Sequence, residues 1–297
     1  MKKMAHTKGI VFLIIFLLPL ISKSQNADTT TTVVNKKRLG ILIGGSSLAY
    51  GASLIALSNL WYSNSQQQSF HFFNDNAEWK QMDKIGHFYS SFYISYASSR
   101  ALRWANVNQN KSNLIGSLTG FLITAPIEIL DGFSSAYGAS VGDLAADAGG
   151  SAFYYTQIAL WKEPRIYPKL SFHTTHYAAL RPNVLGDTWS SELLKDYNGQ
   201  THWWSFDMDK FMPFPKWLNL AVGYGAQGMV YARDSQNRQN GYQSFRQYYL
   251  ALDFDLTGIK TKSKFVRSLI FFGNMIKIPA PTIEFSKKGI SYYGLYF

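Results

Sequence analysis

Residues 112–161 read SNLIGSLTGFLITAPIEILDGFSSAYGASVGDLAADAGGSAFYYTQIALW. This stretch contains two apolar segments of helical length, joined by a short connection rich in small residues. It carries four carboxylates and no lysine or arginine, although the whole chain has a net charge of +11. A carboxylate among apolar residues is costly unless it is paired, protonated or bound to a cation. The stretch therefore predicts two helices that bury acidic groups, namely Glu128, Asp131, Asp143 and Asp147.

Two more apolar segments precede these helices. Residues 39–61 contain no charged residue over a length that suits a membrane span, and small residues recur at helical spacing as in closely packed helices. A buried hairpin helix of a soluble bundle is the alternative interpretation. The pattern predicts a four-helix, membrane-associated bundle over residues 38–162. Its helices are expected at 39–61, 84–105, 113–130 (interrupted by Pro126) and 142–161.

The first 24 residues have the features of a secretory signal. Three lysines precede a short apolar run at residues 10–21, and small residues precede Gln25. Their removal would lower the net charge from +11 to +7, because four lysines and no acid are lost. A retained signal anchor is the alternative. Residues 25–37 are polar and rich in threonine, which predicts a disordered tether.

Composition restricts the chemistry and the partners. The sequence has no cysteine, which excludes disulfides, thiol catalysis, zinc–thiolate sites and a lipidated N-terminal cysteine. The positive charge and the 16% aromatic content favour a membrane or an anionic envelope lipid as partner. Nucleic acid is not expected, because an exported chain without a binding motif has no access to it. The predicted location is the cell envelope, in the periplasm or the outer membrane, with the inner membrane as an alternative.

From residue 165 onward the sequence indicates strands. Residues 245–256 place apolar side chains at every second position, and residues 218–226 alternate similarly. Residues 260–272 are basic and then apolar, which suits either an anionic membrane surface or a solvated helix face. The predicted fold class is α+β, with an antiparallel β region over residues 165–297 after the helices. Weaker strands are expected at 170–179, 202–208, 282–285 and 290–297, the last after a turn at Lys288–Gly289.

Pairs of ionisable residues lie near the ends of the predicted helices. Asp83 and His87 share a helix face at i, i+4, and Asp143 and Asp147 do the same further along the chain. Histidine with several carboxylates is a plausible ligand set for a divalent metal cation and also suits general acid–base catalysis. The candidate catalytic residues are Asp83, His87, Glu128, Asp143 and Asp147; Asp83, His87, Glu128 and Asp143 are the candidate metal ligands; Lys84 and Asp131 are the candidate substrate-binding residues.

Several of these residues also have a structural explanation, whereas Glu128 and Asp147 have no local one, so the functional hypothesis depends chiefly on these two and His87. Ser140 and Asp143 resemble a capping box, which satisfies free backbone N–H groups at a helix start. Asp131–Gly132 resembles a turn that ends a helix. The Asp83–Lys84–His87 group could be a buried hydrogen-bond cluster that fixes helix order, because polar residues between membrane helices also serve as structural contacts. A structural polar network and a catalytic or metal site therefore both remain open.

Three motifs carry a family resemblance. In order, they are Asp83-Lys84-x-x-His87, residues 126–132 (PIEILDG) and residues 142–149 (GDLAADAG). They resemble the uncharacterised YfiM-type family of predicted periplasmic lipoproteins, and their order is similar to that of VanZ-like membrane proteins. The following block, with Arg181-Pro182, residues 195–200 and the aromatic end of the chain, is similar to longer Bacteroidota members. Asp147 stands where VanZ-like sequences usually have asparagine.

The resemblance implies an envelope protein without a defined mechanism. Alternating Tyr293, Leu295 and Phe297 also resemble an outer-membrane assembly signal, with a soluble domain's edge strand as the competing interpretation. The leading functional hypothesis is an uncharacterised, membrane-associated role in envelope maintenance, around a buried acid/His cluster. The alternative is a metal-dependent or acid–base hydrolase acting on a lipid, lipid-linked or peptidoglycan substrate, with Asp147 as an orienting residue and Lys84 contacting an anionic group.

Overall fold

The computed structural model describes residues 33–61 and 66–297, so the predicted signal and most of the predicted tether lie outside the described residues. The fold is α+β, as predicted: helices alone up to residue 161, then a mixed region that contains one antiparallel sheet. In chain order the elements are α1 Lys36–Trp61, α2 Met82–Trp104, α3 Gln109–Gly132, α4 Val141–Trp161, β1 Ile166–Phe172, α5 His176–Leu180, α6 Pro182–Leu185, α7 Trp189–Lys195, β2 Gln200–Phe206, β3 Leu218–Gln227, α8 Asp234–Gln239, β4 Phe245–Phe254, α9 Lys264–Gly273, β5 Ala280–Ser286 and β6 Gly289–Tyr296.

The chain divides into two compact units. The helical unit comprises residues up to 74, 87–160 and 261–268, and the sheet unit comprises 75–86, 161–260 and 269–297. Helix α2 contributes its first turn to the sheet unit and the remainder to the helical unit. A four-helix bundle stays a prediction for the first of these units.

In the helical unit, small side chains lie where helices come close. A Cβ on Gly120 would lie 2.1 Å from Ser95 Oγ, and a Cβ on Gly150 would lie 2.2 Å from the carbonyl oxygen of Phe88. Hydroxyl groups join the same helices: Ser95 Oγ donates to the carbonyl of Ser117 at 3.0 Å. Close packing of this kind depends on residues without bulky side chains.

Pro126 does not interrupt its helix, contrary to prediction. Helix α3 continues from Gln109 to Gly132 with Pro126 inside it. Proline removes one backbone donor and so leaves a carbonyl in the preceding turn without its usual partner. The Tyr50 hydroxyl donates to the carbonyl of Ile123 at 2.9 Å, which supplies a side-chain donor in that turn. A contact from α1 thus accompanies the proline, and the sequence of α3 alone does not reveal it.

The sheet joins its strands in chain order, β1 to β6, and every neighbouring pair is antiparallel. The predicted strand at 170–179 is wrong in its second half, because β1 ends at Phe172 and α5 begins at His176. Thr175 causes this change, since its side chain accepts from the N–H of Tyr177 and caps the helix. Gly289 adopts φ +108° in the predicted turn between β5 and β6, a conformation that favours glycine.

The outer edge of β1 is also hydrogen-bonded. Leu170 N–H donates to the carbonyl of Met275 at 3.0 Å, and Lys277 N–H donates to the carbonyl of Leu170 at 2.9 Å. The hydroxyls of Thr201 on β2 and Tyr296 on β6 lie 2.9 Å apart, which shows that the sheet is strongly curled. One face of the sheet therefore lines an interior.

A left-handed turn lies immediately before α2. Trp79, Lys80 and Gln81 have φ values of 44°, 51° and 65°. Each such residue costs about 1–2 kcal/mol relative to the right-handed conformation. Lys80 is held by an ion pair with Asp234 at 2.7 Å, and its carbonyl accepts from the Tyr224 hydroxyl at 2.5 Å. These contacts offset the cost of the turn.

Candidate functional site

Three helix ends bring four of the predicted residues together in the helical unit. His87 lies in the second turn of α2, Glu128 lies near the end of α3, and Asp143 and Asp147 lie in the first two turns of α4. The three carboxylates are buried, and His87 retains a partly exposed side chain. The helical spacing of these residues predicted the grouping, whereas the distances required the structure.

His87 lies between two carboxylates. Its Nδ1 is 3.1 Å from Asp147 Oδ1, and its Nε2 is 3.7 Å from Glu128 Oε1. The first distance is a hydrogen bond, whereas the second is an electrostatic contact beyond hydrogen-bond length. A carboxylate at one ring nitrogen orients the imidazole and stabilises its protonated form. The hydrogen bond to Asp147 leaves Nε2 directed toward Glu128, and an imidazole oriented beside carboxylates is the arrangement that acid–base chemistry uses.

Ser140 connects Glu128 to the start of α4. The Ser140 N–H donates to Glu128 Oε2 at 2.9 Å, and the Asp143 N–H donates to Ser140 Oγ at 3.1 Å. Ser140 thus caps the helix, as the predicted capping box requires, and its own N–H donates to Glu128. Glu128 acts here as a remote helix cap, which a local motif could not predict.

Serines extend the polar centre between α2 and α4. Ser91 Oγ donates to the carbonyl of Asp147 at 2.6 Å and lies 2.7 Å from Ser151 Oγ. Ser95 Oγ lies 3.2 Å from Ser151 Oγ. The sequence analysis did not identify these serines as residues that support the site. Serine recurs at every fourth position of α2, and this spacing could have indicated them. They fix the position of Asp147 through its backbone.

A divalent cation could use oxygen and nitrogen donors at this centre. His87 and Asp143 each offer a ligand atom, and the two atoms lie within 4.8 Å of each other. Asp147 Oδ2 is buried and has no hydrogen-bond partner among the described residues. Asp83 lies one turn before His87 on α2, so it shares that helix face. Imidazole and carboxylate donors suit several divalent metals.

Two of the predicted residues have partners within the sheet unit. The Tyr197 hydroxyl donates to Asp83 Oδ1 at 2.6 Å. Lys84 Nζ lies 2.8 Å from Asp75 Oδ1 and 4.0 Å from Asp83 Oδ2. Asp75 and Tyr197 were missed because their distance in sequence gives no indication of the contact. The predicted contact of Lys84 with an anionic ligand stays a prediction.

Asp131 closes α3. Its backbone carbonyl accepts from the N–H of Ser134 at 3.0 Å, and the helix ends at Gly132, as the predicted turn requires. Its carboxylate raises the pKa of Tyr137, although burial of that tyrosine is the larger cause. A substrate-binding role for Asp131 stays a prediction.

Comparison with known proteins agrees with part of the resemblance. Residues 71–159 match a family model described as predicted periplasmic lipoprotein (DUF2279). All three motifs noted in the sequence lie within the matched segment. The match confirms the predicted location of an exported cell-envelope protein. No curated protein and no solved structure matches the chain.

Proposed function

We propose that this envelope protein holds its helical unit in a membrane and presents the acid/His centre at the membrane surface, in a role in envelope maintenance. The observation that carries the proposal is the distribution of side chains around α3. Its buried residues are small or polar, and from Leu114 onward its exposed residues are large and apolar. A helix in water has the opposite pattern, whereas a membrane helix packs through small residues. The buried set is Ser112, Asn113, Gly116, Ser117, Gly120, Thr124, Glu128 and Gly132, and the exposed set includes Leu114, Ile115, Leu118, Leu122 and Ile129.

The lengths of two helices support the same placement. A hydrocarbon core about 30 Å thick needs about 20 helical residues. Within the described residues, Lys36–Ala56 and Gln109–Gly132 are long and apolar enough to cross it. The first of these segments has no buried residue, so only lipid or another protein could cover its apolar side chains.

The acid/His centre lies at helix ends, where a membrane helix meets water. Exposed aromatic side chains lie at the same end of α3: Phe70 and Phe133 are in contact, with ring centroids 5.4 Å apart, and Phe72 packs against Phe70 at 5.3 Å. Aromatic side chains are enriched at the level of lipid head groups. The side chain of His87 would therefore face lipid head groups rather than acyl chains.

An arginine introduced into the exposed face of α3 tests the placement. Leu118→Arg puts a charge in the middle of the proposed span, which costs about 2.5–3.5 kcal/mol on insertion scales. We expect a smaller fraction of the protein in alkaline-washed membranes. Asn110→Arg is the matched control, because Asn110 is exposed in the first turn of the same helix. A wild-type mature chain that remains in the aqueous fraction without detergent would refute the proposal.

The second candidate is a metal-dependent or acid–base hydrolase of a lipid, lipid-linked or peptidoglycan substrate. The observation that favours it is the approach of His87 to Asp147 and Glu128 at 3.1 and 3.7 Å, with a ligand atom of Asp143 nearby. In this mechanism Asp83, His87, Glu128 and Asp143 bind the cation or activate water, and Asp147 orients the imidazole.

Calorimetry with Zn²⁺ and with Mn²⁺ on the detergent-solubilised chain tests the metal site. We expect His87→Ala and Asp143→Asn each to abolish binding, and Asp131→Asn to preserve it. If the unaltered protein binds neither ion and hydrolyses no lipid-linked substrate, the hydrolase candidate is rejected while the membrane placement stands.

A further inference from the structure

The sheet unit exposes an apolar face. On β4, Tyr248, Leu250 and Leu252 point outward and are exposed. The opposite face lines an interior that contains an aromatic cluster around Trp203 and Tyr249 together with polar side chains. Antiparallel sheets in water usually expose a polar face, so the outer face departs from the usual arrangement.

The interior face is charged and internally paired. Lys169 Nζ lies 2.6 Å from Asp253 Oδ2, and both side chains are fully buried. The Ser205 hydroxyl donates to the same oxygen at 2.6 Å. Gln247 Nε2 donates to Glu284 Oε1 at 2.9 Å. Because the ions are satisfied inside, the apolar outer face is what this sheet offers to a partner.

Apolar side chains form continuous rows across four strands of the outer face. The strand register places Leu250 between Val222 and Ile283, and it places Tyr248 between Tyr224 and Phe285. Tyr292 and Ile290 continue these two rows on β6. Among the residues named in these rows, none is acidic. A contiguous apolar surface of this kind marks an interaction site.

Basic residues border the rows at one end. Arg246 precedes Tyr248 on β4, and Lys287 and Lys288 form the turn between β5 and β6 next to it. All three are exposed: Arg246 shares the outer face with Tyr248, and the two lysine ammonium groups lie at the end of the sheet, over the ring of the buried Phe245, at 5.3 and 4.6 Å. An acid-free apolar face with a cationic border complements a bilayer that contains anionic lipids. It offers no acidic counterpart to the cationic border of a second copy.

We propose that the outer face of β3–β6 rests on an anionic lipid bilayer, with its apolar rows among the acyl chains and Arg246, Lys287 and Lys288 at the phosphates. The distance from Tyr248 to Leu252 is about 13 Å at 3.3 Å per residue, less than half of a hydrocarbon core of about 30 Å. The face therefore enters one leaflet and does not cross the membrane. The proposal adds a second membrane contact to the one proposed for the helical unit.

Fluorescent labels on single cysteines test this contact in the full chain. The sequence has no cysteine, so each introduced thiol is labelled alone. Leu250→Cys probes the sheet face, Leu118→Cys probes the helical unit, and Ser235→Cys is a near-isosteric control at an exposed polar position of α8. The protein is reconstituted in phosphatidylcholine vesicles with and without phosphatidylglycerol, and an acyl-chain quencher is added.

We expect the Leu250 label to lose its fluorescence as strongly as the Leu118 label when phosphatidylglycerol is present, and the Ser235 label to be unaffected. Lys287→Gln with Lys288→Gln should reduce quenching at Leu250 alone. Quenching at Leu118 without quenching at Leu250 overturns this proposal and leaves the proposed function intact, whereas quenching at neither position refutes both. Self-quenching between Leu250 labels, without quenching by lipid, would identify a second copy as the occupant and would also overturn the proposal.

Discussion

In the helical unit most buried polar groups are hydroxyls of small residues, beside the carboxylates of the acid/His centre, whereas the sheet unit buries lysines with their counter-ion. Ser91, Ser95 and Ser151 bond to one another and to backbone carbonyls between closely packed helices. Lys169 and Asp253 form a buried ion pair inside the curled sheet. The interior of the curled sheet thus accommodates a long cationic side chain together with its partner.

The two interiors also differ in how they should respond to change. A hydroxyl network with bonds to backbone carbonyls loses little when one bond is removed, because a neutral hydrogen bond contributes about 0.5–1.5 kcal/mol. A buried charge without its partner costs about 3–5 kcal/mol. The sheet unit should therefore depend most on individual ionisable residues, and the helical unit on the volume of its side chains.

The largest effect is expected from removal of the buried aspartate. Asp253→Ala leaves Lys169 and Lys277 buried without their common counter-ion, which lies 2.6 and 3.9 Å from the two ammonium groups. We expect the free energy of unfolding of the sheet unit to fall by about 3–5 kcal/mol. Hydrogen exchange of the β4 amides measures this loss.

A paired replacement serves as the control for that variant. Asp253→Leu combined with Lys169→Met replaces the close ion pair by apolar groups, and it should lose less stability than Asp253→Ala. Equal stability of Asp253→Ala and the wild type would show that the ion pair does not support the sheet.

Two buried groups should give the sheet unit an unusual pH dependence. Burial, and then a hydrogen bond that protonated Asp207 donates to Asp209, raises the pKa of Asp207 from 3.8 to about 8. Burial lowers the pKa of His202 from 6.5 to about 4. The folded state thus holds the Asp207 proton more tightly than the unfolded chain does, and it holds the His202 proton less tightly.

The signs of these two contributions are opposite. The Asp207 contribution to stability is lost as pH rises from 3.8 to about 8, and the His202 contribution is lost as pH falls from 6.5 to about 4. Each changes stability by about 1.4 kcal/mol per pH unit inside its window. The two should cancel between about pH 4 and 6.5, and stability should decline from pH 6.5 to 8.

Single variants separate the two contributions. His202→Gln should remove the cancellation, so that stability declines with rising pH across the whole interval from 4 to 8. Asp207→Asn should instead leave a rise from pH 4 to 6.5 and no decline above it. Thermal unfolding of each variant relative to the wild type at several pH values measures both slopes. Parallel pH profiles for all three proteins would contradict the assignment.

The smallest effect should come from one methyl group in the helical unit. Gly120→Ala places a Cβ within 2.6 Å of Ser95 Oγ, the Ser91 carbonyl oxygen and Ser151 Oγ. Overpacking of this kind costs about 1–3 kcal/mol. Gly44→Ala is the matched control, because no atom lies within 4 Å of its added Cβ. Resistance of the helical unit to proteolysis in detergent should fall for the first variant and stay unchanged for the second.

The sequence predicted elements whose periodicity is strong and local. The four long helices and strands β3 and β4 were expected close to where they lie, because their patterns extend over many residues. Helices α5, α6 and α7 were not predicted, since each is a short segment: Thr175 caps α5, Thr188 caps α7, and α6 begins at Pro182. The continuous α3 was not predicted either, because proline usually interrupts a helix, whereas Pro126 lies inside this one.

The candidate site was predictable as a set of residues but not as a geometry. Helical spacing grouped Asp143 with Asp147 and placed His87 one turn after Asp83. It could not show that Glu128 accepts the Ser140 N–H, because that bond joins the end of one helix to the start of the next. Nor could it show the partner of Asp83, because Tyr197 lies 114 residues further along the chain.

The hydrogen bonds on the outer edge of β1 have a consequence for the timing of folding. The backbone of Leu170 bonds to Met275 and Lys277, and the hydroxyl of Thr201 contacts that of Tyr296. Strands that are synthesised early therefore find their partners in segments that are synthesised about 100 residues later. A ribosome or translocon releases these partners only after most of the sheet unit has emerged. During that interval the edge of β1 is unsatisfied and open to pairing with other chains. The sheet of this unit should therefore be completed only after residues 275–296 have emerged.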